Sequence, residues 1–165
     1  MVAPRRKTNR LRDFDYSTPG AYFITICTKD RSCILGKVVG GGALDTPVTQ
    51  LTEVGLIVQR YILSGNHISG ITVEKFVVMP NHIHLLLLIE DTADGEVQRR
   101  LSPANGRIPH FVSTLKRFCH RDIGEDIFQR SYHDHVIRGE KDYRKIWEYI
   151  DSNPARWQED CFYTE

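Results

Sequence analysis

The chain has 165 residues, of which 41% are hydrophobic and 26% charged, and its formal net charge is +1. This composition is that of an ordinary globular protein of about one domain, which excludes wholesale disorder. No apolar run reaches the roughly 18 residues that a membrane-spanning helix needs, and no apolar segment follows the basic N-terminus as in a secretory signal.

The charge is unevenly distributed along the chain. Residues 1–12 hold five basic side chains and no acidic one, so the remainder is slightly acidic. A basic arm on a mildly acidic body is a common way to bind a polyanion, although a solvated N-terminus would have the same composition. The four cysteines form no Cys-x-x-Cys pair, which favours reduced thiols in a cytosolic protein.

The first part of the chain combines strand signals with one helix signal. Residues 21–28 (AYFITICT) are rich in β-branched and aromatic residues and predict a strand, with a second short strand near 33–39. A glycine triplet at 40–42 lacks the continuation of a phosphate-binding loop, so we expect a plain link. Residues 47–64 have helical apolar spacing, and Thr46 before a proline predicts the helix start.

The second part predicts a hairpin followed by two more helices. Residues 71–80 and 82–90 are both strand-like, and the tight break between them indicates that they pair. The other predicted elements are a long loop over 91–109, a helix over 110–122, a strand over 131–139 and a final helix over 140–153. This order is the βαββαβ pattern of a ferredoxin-like antiparallel sheet with an additional C-terminal helix, so we predict an α+β fold.

Two histidines stand two residues apart on a predicted strand. Because side chains alternate across a strand, His82 and His84 leave the same face side by side. Two adjacent neutral imidazoles form much of a small metal site. His133 and His135 have the same spacing, but they lie in a more polar segment. His82 and His84 instead begin an apolar run, where polar side chains are unusual, which favours a functional role for this pair.

The final predicted helix carries polar groups beside its apolar stripe. At about 100° per residue, Tyr149 lies off the stripe and Asn153 is its neighbour, with Asp142 on the same flank. The stripe, expected to be core, consists of Tyr143, Ile146, Trp147 and Ile150. Tyr149 is either a half-exposed amphipathic tyrosine or a nucleophile, since a phenol can attack a phosphodiester beside a divalent cation. Asn153 or a carboxylate could supply a third ligand to that cation.

These residues resemble a known family. The segment VVMPNHIHLLL at 77–87 resembles the His-hydrophobic-His (HUH) motif of single-tyrosine transposases. The stretches at 10–30 and 128–157 resemble the REP-associated tyrosine transposases, a branch of that family, and the resemblance extends from about residue 5 to residue 157. A lone His-x-His would not be specific, whereas MPNHIH combined with a downstream YIxxNP is.

The resemblance implies an activity and a domain organisation. The family cleaves and rejoins single-stranded DNA beside hairpins of palindromic repeats, through a covalent 5′-phosphotyrosine and with Mg²⁺ or Mn²⁺. The catalytic domain would span 13–157, between a basic arm at 1–12 and a short tail at 158–165. We expect a cytoplasmic, nucleoid-associated monomer or homodimer with no membrane partner.

The resemblance also implies roles for individual residues. Tyr149 matches the nucleophile, and His82 and His84 match the metal ligands. Asn153 stands where many relatives have a glutamine as third ligand. The expected DNA contacts are Arg5, Arg6 and Lys7 in the arm and Lys116, Arg117 and Arg121 on the second predicted helix, where a solvated basic surface is the alternative.

Two other functions remain open from the sequence. A module that binds nucleic-acid hairpins without catalysis would keep the basic arm and would tolerate replacement of Tyr149 by phenylalanine. A metal hydrolase would use His82 and His84 to activate water, leaving Tyr149 as a bystander. The three functions differ in whether the protein becomes covalently attached to DNA.

Overall fold

The computed structural model describes residues 18–42, 45–91 and 106–164. In chain order these residues form β1 (Gly20–Cys27), β2 (Gly36–Val39), β3 (Val48–Leu51), α1 (Glu53–Ser64), β4 (Ile71–Val78), β5 (His82–Ile89), α2 (Arg107–Ile123), β6 (His133–Val136) and α3 (Glu140–Ser152). A 3-10 helix, Pro154–Glu159, follows α3 directly. Within the described ranges, every helix is too short or too polar to cross a membrane.

Four strands form an antiparallel sheet in the order β4-β5-β1-β6. The first strand therefore lies in the middle of the sheet, with α1 connecting it to β4 and α2 connecting β5 to β6. This is the strand order of a ferredoxin-like fold, and the predicted fold class is confirmed. Strands β2 and β3 pair separately as a hairpin inserted between β1 and α1.

One face of the sheet packs against α1 and α2 to form the main core. Alternation places every second side chain of β1 and β5 on this face, where burial of each Ile or Leu contributes about 1.5–3 kcal/mol. The core includes Ile24, Ile26, Ile83, Leu85 and Leu87 from the sheet and Val58, Ile62, Phe111 and Leu115 from the helices.

The opposite face of the sheet carries the histidine pair. Thr25 and Cys27 of β1 are paired in register with His84 and His82 of β5, so all four side chains leave this face. Helix α3 packs on β4 and β5 from the same side. The last helix therefore lies over the histidine strand, with Ile150 as its buried contact.

The predicted helix over 47–64 is wrong in its first part. Residues 48–51 pair with β2 as β3, and α1 begins only at Glu53. Thr52, rather than Thr46, caps the helix, because its Oγ1 accepts a hydrogen bond from the backbone N of Gly55 at 3.1 Å. Pairing with a neighbouring strand overrides local helical spacing when the segment contains β-branched residues and has a ladder partner.

Helix α2 begins earlier than its sequence signal predicts. It starts at Arg107, whose side chain is only 3% exposed despite its charge. The Arg107 guanidinium donates to the carbonyl oxygens of Gly70 at 3.1 Å and Glu90 at 2.7 Å. This contact anchors the helix start to the outer end of the β4–β5 hairpin. Most of the predicted loop over 91–109 lies outside the described residues.

Candidate metal and tyrosine site

The imidazoles of His82 and His84 lie against each other on the covered face of the sheet. Their Nε2 atoms are 2.9 Å apart, and the two residues are 0% and 1% exposed. Two nitrogens that each bind one cation at about 2.1 Å, roughly at a right angle, are separated by about 3 Å. The pair is therefore spaced for a shared ion.

Asn81 determines the tautomer of His82. The Nδ2 of Asn81 donates to the carbonyl oxygens of Phe162 at 2.8 Å and Arg31 at 3.2 Å. These bonds orient the amide so that its Oδ1 accepts from Nδ1–H of His82 at 2.9 Å. With the proton held on Nδ1, the Nε2 lone pair of His82 is available to a ligand.

Thr25 is the corresponding partner of His84. Its Oγ1 lies 2.8 Å from Nδ1 of His84 across the β1–β5 ladder. A hydroxyl group both donates and accepts, so Thr25 is compatible with either tautomer of the ring.

Burial keeps both imidazoles neutral at neutral pH. Desolvation lowers the pKa of His82 below its ordinary value, and the nearby Asp160 carboxylate opposes this effect only in part. Desolvation also lowers the pKa of His84, with a further contribution from the charge that His82 would carry. Neutral imidazole is the form that binds metal ions.

A carboxylate from the C-terminal segment completes the group. Oδ2 of Asp160 lies 3.9 Å from Nε2 of His82, and the Asp160 side chain is 1% exposed. The potential ligand atoms of His82, His84 and Asp160 all lie within 4.8 Å of one another. The sequence predicts Asn153 or a carboxylate as third ligand without identifying Asp160, since a short tail has no periodicity that places one of its residues on the sheet.

The phenol of Tyr149 meets this group from α3. Its hydroxyl donates to Oδ2 of Asp160 at 3.2 Å and lies 3.3 Å from Nε2 of His84. Burial and the adjacent Asp160 carboxylate raise the pKa of Tyr149 above its ordinary value, so the hydroxyl keeps its proton at neutral pH. The polar flank of the last helix therefore reaches the histidine pair.

Asn153 lies in the same cluster, and its surroundings test whether these residues could bind a metal ion. Its Nδ2 donates to Oδ2 of Asp160 at 2.9 Å, and the residue is 1% exposed. Its Oδ1 is buried and has no hydrogen-bond partner among the described residues. Leaving a buried acceptor unsatisfied costs about 1–3 kcal/mol. An amide oxygen beside two imidazoles and a carboxylate suits a divalent cation, so the residues present fit such an ion.

The second histidine pair does not join this cluster. Nε2 of His135 lies 2.8 Å from Oδ2 of Asp142, and the same oxygen accepts from the backbone N of Arg138 at 3.1 Å. Asp142, which the sequence places on the same flank as Tyr149, is thus the partner of His135 and not a member of the cluster. The ring centroid of His133 lies 6.3 Å from that of Phe162.

The basic residues of α2 lie on the other side of the sheet. Lys116 donates to the carbonyl oxygens of Gln129 at 2.7 Å and Arg130 at 3.3 Å, and burial lowers its pKa to about 8. Arg117 and Arg121 are exposed, and their guanidinium groups stack on Phe118. Arg5, Arg6 and Lys7 lie outside the described residues. DNA binding by all six stays a prediction.

A relative and a solved structure resemble this chain, while no family model matches it. An uncharacterised protein of Haemophilus influenzae is 31% identical over 175 aligned positions, covering 97% of this chain and 94% of its own length. The chain belongs to the family of that protein.

A solved structure extends the comparison to the fold. The REP-associated tyrosine transposase bound to a REP hairpin matches with a TM-score of 0.63 and 21% identity, over 89% of this chain and 73% of that one. The two proteins share a fold. This agrees with the ferredoxin-like architecture read from the strand order.

Proposed function

We propose that the protein is a tyrosine transposase of the REP-associated type, which cleaves and rejoins single-stranded DNA at palindromic hairpins with a divalent metal ion. The observation that carries the proposal is the 3.3 Å separation between the Tyr149 hydroxyl and Nε2 of His84. A phenol held beside a set of metal-binding groups is what nucleophilic attack on a phosphodiester requires. The sequence resemblance and the shared fold support the same activity.

The metal ligands in this proposal come from β5 and the C-terminal segment. His82, His84 and Asp160 would hold the cation, and the unsatisfied Oδ1 of Asn153 is a fourth candidate ligand. The cation would neutralise the scissile phosphate and stabilise the leaving oxygen. Imidazole ligands favour Mn²⁺ over Mg²⁺, whereas the carboxylate and amide oxygens suit both ions.

Tyr149 performs the covalent step. Its oxygen attacks the phosphorus, so that a phosphotyrosine bond forms while the bond between phosphorus and the 3′ oxygen breaks. The phenol gives its proton to water, and the departing 3′ oxygen takes a proton from water, so that the protons balance. Attack by a 3′-hydroxyl on the phosphotyrosine reverses the step and rejoins a strand.

Every residue of this site comes from one chain. Tyr149 on α3 meets His82 and His84 on β5 of the same molecule. A monomer therefore has a complete site in the proposed reaction, and exchange of α3 between two subunits is not required.

The test is trapping of the covalent intermediate. Protein and an end-labelled DNA hairpin with single-stranded flanks are incubated with Mn²⁺, denatured and separated by electrophoresis. The unmodified protein is expected to form a labelled adduct, and Tyr149→Phe is expected to form none. Tyr143→Phe is the matched control, because this phenol lies on the same helix but pairs with Glu74 at 3.3 Å.

The other outcomes correspond to the alternative functions. Cleavage without an adduct would identify a metal hydrolase, and binding without cleavage in any metal would identify a hairpin-binding module. An adduct that persists in Tyr149→Phe would overturn the assignment of the nucleophile.

A further inference from the structure

The histidine pair is covered by the end of the described chain. The ring centroid of Phe162 lies 4.7 Å from that of His82 and 6.0 Å from that of His84. Its carbonyl oxygen is held by Nδ2 of Asn81 at 2.8 Å. Since both imidazoles are at most 1% exposed, a phosphate reaches them only when this cover moves.

The segment that covers the histidines, Cys161 and Phe162, also contacts a guanidinium group. Cζ of Arg31 lies 5.4 Å from the ring centroid of Phe162, and Nη1 of Arg31 donates to the carbonyl oxygen of Cys161 at 3.3 Å. Phe162 therefore touches both the imidazole of His82 and the guanidinium of Arg31. A group that replaced Phe162 would meet both.

Arg31 is held by an unusual turn. Asp30 and Arg31 have φ values of 53° and 54° in the turn after β1, and neither is a glycine. Two successive residues with side chains adopt the left-handed region only where their surroundings enforce it, and such backbone is concentrated at functional sites. Asn81 contributes to holding this turn, since its Nδ2 donates to the Arg31 carbonyl oxygen at 3.2 Å. The residue that orients His82 thus also fixes the position of Arg31.

Among the described residues, the Arg31 guanidinium contacts a carbonyl oxygen and an aromatic ring. Within the described ranges, no carboxylate forms an ion pair with it. Its guanidinium lies beside the site, because it contacts the same Phe162 ring that covers His82. A cation beside a cation site weakens metal binding unless an anion compensates both charges. Arginine is well suited to bind phosphate, through parallel hydrogen bonds to two oxygens.

We propose that Arg31 binds the scissile phosphodiester beside the histidine pair, with a phosphate oxygen replacing the Cys161 carbonyl oxygen on its guanidinium after Phe162 moves away. The inference rests on the proposed function and adds a phosphate-binding residue to it. Arg31 forms no covalent bond in this role.

The test first requires the cleaved position, which is mapped from the covalent adduct of the unmodified protein. Absence of any adduct contradicts the proposed function itself and is recognised at this stage. The full chain carrying Tyr149→Phe is then used to measure binding with Mn²⁺ and without cleavage. Two oligonucleotides are compared, one with the native phosphate at the mapped position and one with an uncharged methylphosphonate there.

Arg31→Gln, added to Tyr149→Phe, is expected to weaken binding of the native oligonucleotide by about tenfold and to leave binding of the methylphosphonate within about twofold. Lys29→Gln is the control, since this exposed residue of the same turn loses the same charge. It is expected to affect both oligonucleotides equally.

A purely structural role for Arg31 predicts a different pattern. If Arg31 only fastens the cover over the histidines, Arg31→Gln strengthens binding of both oligonucleotides alike. Equal weakening of both, or no change in either, also overturns the proposal.

Discussion

Nε2 of His82 faces Nε2 of His84 at 2.9 Å. Because Asn81 keeps the proton of His82 on Nδ1, the hydrogen between the two Nε2 atoms belongs to His84 in the free protein. For His84 to bind a cation through Nε2, that proton must move to its Nδ1, and the Thr25 hydroxyl must turn from donor to acceptor. Asn81 is thus the fixed partner of the pair and Thr25 the adaptable one.

Removal of one imidazole is expected to abolish tight metal binding. His84→Gln should weaken Mn²⁺ binding by about 100-fold, because it removes one of a few ligands in a buried site. Isothermal titration calorimetry on the full chain measures this change. His135→Gln is the matched control, since His135 pairs with Asp142 away from the cluster. Similar losses in the two variants would place the metal elsewhere.

The adaptable role of Thr25 can be examined with a pair of substitutions. Thr25→Val keeps the shape of the side chain but removes the acceptor for Nδ1–H of His84, and should weaken Mn²⁺ binding by about 10-fold. Thr25→Ser retains the hydroxyl and should bind Mn²⁺ within about threefold of the unmodified protein. Calorimetric titration compares the two, and equal affinities would show that the hydroxyl has no part in orienting the ring.

The buried histidines predict a loss of stability in acid. Burial lowers the pKa of both residues below the ordinary value of 6.5, so between that value and the lowered one only the unfolded chain takes up protons. Falling pH therefore favours unfolding, and the stability present above about pH 6.5 declines below it. Each histidine contributes at most about 1.4 kcal/mol per pH unit.

Urea unfolding without metal at pH 7.5, 6.5 and 5.5 measures this decline. The double variant His82→Gln, His84→Gln is expected to lose less free energy of unfolding than the unmodified protein over the same range. An equally steep loss in both proteins would assign the acid sensitivity to other groups.

A close backbone contact beside α1 predicts a large effect of one methyl group. A Cβ at Gly55 would collide with the carbonyl oxygen of Leu35, so Gly55→Ala should lower the free energy of unfolding by about 1–3 kcal/mol or more. Gly42→Ala is the control, because a Cβ there meets nothing within 4 Å. Urea denaturation of both variants measures the difference, and a change below about 0.5 kcal/mol in Gly55→Ala would contradict the packing of α1 on this carbonyl.

The parts of the site that follow from local periodicity could be predicted. Strand alternation places His82 and His84 on one face whatever surrounds them, and helical spacing places Asn153 beside Tyr149. The order of strands and helices was sufficient for the fold class, since few arrangements of βαββαβ units bury one face of the sheet.

Tertiary structure decided the features that depend on contacts between different segments. Residues 48–51 became β3 because β2 supplied a ladder partner, although their spacing is also helical. Asp160 joined His82 and Tyr149 because the chain after α3 turns back over the sheet, and Arg31 met Phe162 for the same reason. Periodicity reports only which side of its own element a residue occupies. Which residue of another element it contacts depends on the packing free energy of the whole chain. No single segment determines that free energy.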